Sequence, residues 1–334
     1  MSNEPPGWRT GPAWQEMNGR KQRGRRIRSA LGMVLAAGLA VVAVNPSLVT
    51  SRLPGDAEGT GGSAATATEP LPAETAAPTA SPAHELFPDT PTLQDPFRGS
   101  PAARYADGAK GIVLPEAKPI GSLSKEQVAT ALEATRAFII DANLNPATLR
   151  GEHPKTAFAR LDSEYDEFVP EIESWLNKPG KDADPTWLFT RFDPDEVDLV
   201  GKVVKTRGRM TFTAGEHGSV RIRADYTFVY PVMKVDGSTE VARTVVRRVL
   251  EFDSYNPNGL QVTAGKLWVT AYNVDIGNDD CRAPDGYLHP QFDSDLRASP
   301  PPAGPTVDPY DRSRDINAED AQNPAGTCGT GARA

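Results

Sequence analysis

The chain has 334 residues, a net charge of −8 and 31 prolines, and only 7% of its residues are aromatic. Its length allows one or two domains, but the aromatic residues concentrate between about 130 and 295, which disfavours a second hydrophobic core. We therefore expect one folded domain with long flanking segments.

The N-terminus has the layout of a membrane-targeting segment and not of a nucleic-acid-binding one. Residues 1–28 hold seven basic and two acidic residues, and the apolar run "ALGMVLAAGLAVVAV" follows at 30–44. Such a run is shorter than the roughly 20 residues of a full span and longer than a minimal signal-peptide core. We predict a basic cytoplasmic head at 1–28 and a retained single-pass transmembrane helix at 29–50. The alternative is a cleaved signal sequence and a secreted protein.

The segment that follows the anchor has the composition of a disordered spacer. Pro, Ala, Thr, Gly and Ser make up 33 of the residues 51–100. Such a segment buries too little apolar area to offset the entropy lost on ordering. We predict a disordered spacer at 51–110 that holds the following domain away from the membrane.

Two helical patterns open the predicted domain at 111–292. In "SLSKEQVATALEATRAFIIDANL", Ser124 is placed as an N-cap with Gln127 three residues later, a capping box. Asn145 and Pro146 end that helix. Apolar residues then recur at helical spacing over 158–175, where Pro170 is expected to kink or divide the helix.

Beyond residue 190 the hydrophobic period changes from 3.6 to 2, which indicates strands. Four strands are predicted, at 197–213, 219–232, 241–255 and 260–276, and the connections between successive strands include short turns such as "DGST". Short connections predict an antiparallel meander. Helices followed by such a meander predict an α+β domain with the helices packed on one face of the sheet.

This element order resembles the nuclear transport factor-like, or cystatin-like, cone fold, with "ADYTFVYPV" and "GKLWVTAYNVDIG" as the most similar segments. Together with the basic head, anchor and spacer, it resembles uncharacterised exported single-pass membrane proteins of actinobacteria. The layout is also similar, more distantly, to bitopic assembly proteins of bacterial secretion systems. The resemblance implies an extracytoplasmic domain in the cell envelope that acts as a scaffold.

The two cysteines, Cys281 and Cys328, both lie beyond the predicted anchor. Two cysteines in an oxidising compartment most simply form a disulfide. The bond would attach an irregular tail at 293–334 to the domain. The chain has no CxxC pair, so we predict no metal site.

The sequence contains none of the motifs that mark common catalytic or nucleotide-binding sites: no GxSxG, HExxH, Walker loop or GxGxxG. Two acidic turns, "DPDEVD" at 193–198 and "DIGNDD" at 275–280, do not have the spacing of a calcium loop. We therefore expect solvated acidic turns, no cofactor and no catalytic residues.

A ligand-binding pocket between the sheet and the helices is the alternative functional site that a cone fold offers. It would be formed by Tyr226, Tyr230, Arg248 and Trp268, and it would bind an apolar small molecule or support isomerase-like chemistry. Arg248 stands on an otherwise apolar strand face. Either a strand end or bulge turns it outward, or it is a buried cation that meets an acidic ligand.

Arginines alternate with apolar residues on the first three long strands. Lys205, Arg207, Arg209, Arg221 and Arg223 share one predicted surface, and Arg243 and Arg247 are expected to extend it. This face is either a solvated sheet surface or a docking surface for an anionic cell-wall polymer or an acidic envelope protein. Nucleic acid is not expected, because the compartment is wrong and that face lacks aromatic residues. We predict a non-catalytic binding or assembly module.

Overall fold

The structure is a computed structural model that describes residues 89–165, 167–258, 260–280, 284–298, 306–316 and 330–331. The predicted anchor, both cysteines and the spacer up to residue 88 lie outside these residues. Among the described residues, no helix combines the length and the apolar composition that crossing a membrane requires. The described residues thus cover the predicted domain and parts of the segments on either side of it.

The described chain is an α+β structure with an antiparallel sheet and few helices, as the sequence predicts. Its helices are Lys125–Leu144 (α1), Pro146–Leu149 (α2), Lys155–Phe158 (α3), Phe168–Asn177 (α4) and Asp293–Ala298 (α5). Its strands are Ala106–Asp107 (β1), Val197–Leu199 (β2), Lys205–Ala214 (β3), Val220–Lys234 (β4), Val241–Ser254 (β5), Trp268–Gly277 (β6), Thr306–Val307 (β7) and Thr330–Gly331 (β8).

Helix α1 begins and ends where the sequence predicts. The Gln127 backbone N–H donates to Ser124 Oγ at 3.3 Å, and the Ser124 backbone N–H donates to Gln127 Oε1 at 2.8 Å. This capping box satisfies donors for which the first helical turn has no internal acceptor. At the other end Asn145 Oδ1 accepts the Ala147 N–H at 3.0 Å, so the side chain that ends α1 also caps α2.

The helical pattern over 158–175 is divided earlier than expected. The chain between α3 and α4 is held instead by Asp162, whose buried carboxylate accepts the Thr263 backbone N–H at 2.8 Å and the Trp268 indole N–H at 3.1 Å. These partners lie about a hundred residues away, so local periodicity could not reveal them. Pro170 lies in the first turn of α4, where its missing N–H costs nothing.

The sheet is an antiparallel meander in the order β1-β3-β4-β5-β6, with β2 also paired to β4. The strand predicted at 197–213 is in fact two strands. β2 pairs with the last three residues of β4, whereas β3 pairs with residues 220–229. The break falls at Gly201, whose φ of 75° suits glycine and ends the extended backbone.

The inner face of the sheet packs against the helices. The even-numbered residues of β4 from Val220 to Val232 are all buried, as the alternation predicts. Phe138 of α1 meets Phe252 of β5 edge-on with ring centroids 5.1 Å apart. Burial of each such ring stabilises the fold by about 1.5–3 kcal/mol, so this layer holds the helices on one face of the sheet.

The outer face of the sheet is partly covered by the segments that flank the predicted domain. A buried cluster joins residues of both segments to β4 and β5: Phe97, Ala102, Tyr105, Val229, Val245 and Tyr310. The boundary predicted at residue 111 is therefore too late. The tail predicted to be irregular at 293–334 likewise contributes Tyr310 to the core. Apolar residues isolated among prolines gave too weak a pattern to predict this packing.

Candidate functional site

Four arginines form a diagonal row on the outer face of the sheet. We call Arg207 and Arg209 of β3, with Arg221 and Arg223 of β4, the arginine stripe. Arg209 lies opposite Asp225, and Arg223 lies one step further along, opposite Thr211. Because alternate residues on a strand are about 7 Å apart and neighbouring strands about 5 Å apart, the stripe has a spacing of about 7–8 Å. The four side chains are partly exposed.

Two members of the stripe form ion pairs with β5. Arg221 holds the buried carboxylate of Asp253 through two hydrogen bonds, at 2.9 and 2.8 Å, and these bonds raise the pKa of its guanidinium. Arg223 donates a single bond of 2.8 Å to Glu251. Their side chains remain 34% and 36% exposed. Arg221 thus compensates a buried charge, whereas the Arg223 pair is an ordinary surface pair of low stabilising value.

The other two members, Arg207 and Arg209, belong to β3 and have different surroundings. The Arg207 guanidinium lies over the Tyr105 ring, 5.5 Å from its centroid, a cation–π contact. Arg209 faces Asp225 across the ladder, yet no ion pair within 4 Å joins it to any residue that the structure describes. Arg209 therefore presents a positive charge that no acidic residue of the described chain neutralises at close range.

Arg243 and Arg247 do not extend this exposed surface, so that expectation is wrong. Both side chains are buried. Arg243 donates a hydrogen bond of 2.7 Å to the Arg98 carbonyl. Arg247 donates two hydrogen bonds to the Asp225 carboxylate, from Nε at 3.1 Å and from Nη2 at 3.0 Å. The flanking segments that cover this end of the sheet exclude water from both guanidinium groups.

Residues 306–316, which we call the strap, cross the outer face beside the stripe. Arg312 of the strap is fully buried and donates to Thr227 Oγ1 and to Asp225 Oδ1, the latter at 2.5 Å. Tyr310 accepts a hydrogen bond of 2.8 Å from Ser100 and packs edge-on against Tyr105. The strap is thus held by a buried ion pair and an aromatic anchor.

Asp225 is the shared centre of this arrangement. Burial alone would raise the pKa of its carboxyl, but the hydrogen bonds and charges of Arg247 and Arg312 lower it below the ordinary value. Sequence reasoning missed Arg312. The only signal for the strap was the segment "DPYDRSRD" at 308–315, with a single aromatic residue in a polar tail.

Arg248 points inward and is fully buried, so of the two alternatives the outward turn is wrong. Its guanidinium donates to Asn143 Oδ1 at 2.7 Å, to the Thr186 carbonyl at 2.7 Å and to Thr190 Oγ1 at 3.2 Å. Burial lowers the pKa of Arg248 to about 10. The cation is therefore satisfied by neutral oxygen atoms of the protein itself, from α1 and from the loop before β2.

Tyr230 belongs to the same network, and Tyr226 lies beside it on the strand. The Tyr230 hydroxyl donates to the Asn143 carbonyl at 2.9 Å and lies 3.1 Å from Thr190 Oγ1. Tyr226 lies across Gly208 of β3, where an added Cβ would be only 2.3 Å from the ring. Burial raises the pKa of both phenols. Both rings fill the layer between sheet and helices.

Trp268 is not brought together with these residues. It stacks on Tyr165 with ring centroids 4.3 Å apart and bonds to Asp162. In register it pairs with Asp253, five positions along β5 from Arg248, which is about 17 Å of strand. The four residues of the alternative pocket therefore divide into two separate clusters.

The two acidic turns meet at His289, which the sequence did not predict. His289 Nδ1 lies 2.9 Å from Glu196 of the first turn, and its backbone N–H donates to Asp279 of the second at 2.7 Å. Its Nε2 lies 2.9 Å from Asp285. Burial alone would lower the pKa of His289, but the bonds to Asp285 and Glu196 raise it. The imidazolium thus ties together two loops near β2 and β6.

Comparison with known proteins adds no relative: no family model, no curated protein and no solved structure matches this chain.

Proposed function

We propose that this chain is a membrane-anchored binding module of the cell envelope, and that its extracytoplasmic domain binds an anionic wall polymer through the arginine stripe. The observation that carries the proposal is the position of Arg209, a partly exposed residue in a row of four arginines that forms no ion pair within 4 Å with the described residues. Arg221 and Arg223 have acidic partners, whereas Asp225, the acid opposite Arg209, is bound by Arg247 and Arg312. A mobile polyanion supplies the missing counter-charge.

The shape of the stripe favours a linear polymer over a globular acidic partner. Four guanidinium groups in a row of about 20 Å match an extended chain with repeated charges. A stable protein interface needs about 800 Å² from each partner. The strap and the 95–111 segment already cover the neighbouring end of this face, which limits the area left for a globular partner. Guanidinium groups bind phosphate and carboxylate oxygens in two-point geometry.

A binding role rather than catalysis fits the chemistry of the inner face. Its titratable groups include Tyr226, Tyr230 and Arg248, with pKa values shifted upward for the phenols and to about 10 for the guanidinium. A general acid or base works best with a pKa near the operating pH. These groups keep one protonation state near neutrality and serve to hold the layers together.

The envelope location rests on the sequence. The basic head at 1–28 and the apolar segment at 29–50 place the domain outside the membrane by the positive-inside rule. The α+β architecture is compatible with the cone fold that the element order resembles, and a cone-fold domain on a long spacer suits a scaffold that reaches wall polymers.

The test is a triple variant that removes three positive charges from the stripe. Arg207→Gln, Arg209→Gln and Arg223→Gln are combined, while Arg221 is kept because it neutralises the buried Asp253. Binding to fluorescent polyphosphate and to poly-glutamate is measured by anisotropy, and binding to purified cell walls by sedimentation. We expect affinity to fall between about threefold and 150-fold, since each of the three exposed charges contributes about 0.2–1 kcal/mol.

The matched control changes one charge on another surface. Arg160 is exposed, lies between α3 and α4 and is not a member of the stripe, so Arg160→Gln is expected to keep wild-type affinity. Unfolding midpoints of both variants verify that the fold is retained. If the folded triple variant binds walls and both probes as tightly as the wild type, the proposed function is wrong.

A further inference from the structure

Asp225 lies where three guanidinium groups compete for one carboxylate. Its Oδ1 accepts from Arg312 at 2.5 Å and from Arg247 at 3.1 Å, and its Oδ2 accepts from Arg247 at 3.0 Å. A carboxylate offers about four acceptor positions, so three of them are occupied. Arg209, directly opposite across the ladder, is left outside this group.

An arginine and an aspartate that face each other across two strands ordinarily attract and form a pair. Here one negative charge already has two positive partners, so the local charge that Arg209 meets is positive. The strap supplies the second of these partners, because Arg312 is the residue that the strap inserts. Docking of the strap therefore determines whether Asp225 is available to Arg209.

We infer that the strap regulates the arginine stripe: when docked, it occupies Asp225 and keeps Arg209 available to a polyanion. When the strap leaves, Asp225 retains only Arg247 and gains room for Arg209, which is thereby neutralised. This inference rests on the proposed function for its ligand, a polyanion. It adds that residues 306–316 control the affinity of the arginine stripe without being part of it.

The strap is released most cleanly by a change that leaves the charges intact. Tyr310 is buried in the cluster of the outer face, so Tyr310→Ala removes the aromatic anchor while Arg312 remains in the chain. Hydrogen exchange of residues 308–316 in the full-length protein reports release. Arg312→Gln is the second variant. If neither variant speeds exchange in the strap, the inference is overturned, because these residues would not hold it.

Affinity for fluorescent polyphosphate is then measured for Tyr310→Ala, Asp225→Asn and the double variant. We expect Tyr310→Ala to bind about fivefold more weakly, the effect of about 1 kcal/mol. Asp225→Asn leaves Arg209 without an acid to pair with, so it is expected to bind at least as well as the wild type. In the Asp225→Asn background, Tyr310→Ala should have no further effect.

The outcomes separate the two proposals. If Tyr310→Ala frees the strap but leaves affinity unchanged, while Arg209→Gln weakens binding, the regulation is wrong and the binding surface stands. If Arg209→Gln also leaves affinity unchanged, the proposed ligand is wrong. The regulation is then judged by modification of Arg209 with a dicarbonyl reagent, read by mass spectrometry. Slower modification in Tyr310→Ala supports the inference, and equal rates overturn it.

Discussion

Two buried arginines of this domain are accommodated in different ways. Arg247 faces a carboxylate, whereas Arg248, the next residue, is surrounded by neutral oxygen atoms. A buried cation without a direct anion is costly, and the lowered pKa of Arg248 records that cost. Because β5 alternates its side chains, adjacent arginines reach opposite faces. Arg247 thus lies on the outer face beside the strap, and Arg248 lies on the inner face, where it joins α1 to the loop before β2.

His289 gives the residue-scale prediction, because its charge is expected to contribute to stability in one pH window only. The pKa of its imidazole is raised by Asp285 and Glu196. The stabilisation is fully present below the unfolded pKa of about 6.5. It is lost as the pH rises through the higher folded value. Comparing wild type with His289→Gln, we expect the difference in free energy of unfolding to be larger at mildly acidic pH than at alkaline pH.

Urea unfolding across that pH range measures the difference. His217 is exposed in the turn between β3 and β4 with a φ of 54°, a conformation that asparagine also tolerates. His217→Asn is therefore the control, because it replaces a histidine while leaving the contacts of His289 in place. A His289→Gln difference that stays constant across the range would show that the ion pairs do not stabilise the fold.

At the scale of elements, the sequence predicted best what depends on near neighbours. The capping box at Ser124 and the alternation from Val220 to Val232 were both readable, because each pattern lies within a few residues. The division before α4 was not readable, since Asp162 depends on Trp268. The burial of Arg243 likewise depends on a carbonyl of the proline-rich segment that precedes the domain. Contacts between residues that are far apart in the sequence produce no local periodicity, so they could not be predicted from it.

The segment before residue 111 provides the prediction for this scale. Phe97 and Tyr105 pack against Val229 and Val245 of the sheet. A protein shortened to begin at residue 111 exposes these strand positions and leaves Arg243 without its carbonyl acceptor. Since each buried aromatic side chain stabilises by about 1.5–3 kcal/mol, we expect a loss of about 3 kcal/mol or more in the free energy of unfolding.

A second shortened protein, beginning at residue 89, is the comparison. It retains the whole segment and should unfold as a domain of full stability in urea. Equal urea midpoints for the two shortened proteins would contradict the prediction and would support a domain boundary at residue 111.

At the scale of the whole molecule, the net charge opposes the binding of a polyanion, so any such binding depends on the charges close to the stripe. The chain carries a net charge of −8 even with its basic head, so the rest of the molecule repels a polyanion at long range. Exposed charges more than about 10 Å apart are largely screened at 0.1 M salt. Under the proposed function, a polymer on the stripe would be held by nearby guanidinium groups against a weak overall repulsion.

The orientation of the chain in the membrane is the prediction on which the proposed partner depends. With both native cysteines replaced by serine, single cysteines are introduced at Val113, which is 71% exposed on the domain, and at Ser2 in the basic head. A membrane-impermeant maleimide applied to intact cells should label Val113→Cys and leave Ser2→Cys unlabelled, because positive flanks stay in the cytoplasm. After lysis both should react, which controls for the accessibility of each thiol. Labelling of Ser2→Cys alone in intact cells would place the arginine stripe in the cytoplasm, where no wall polymer could reach it.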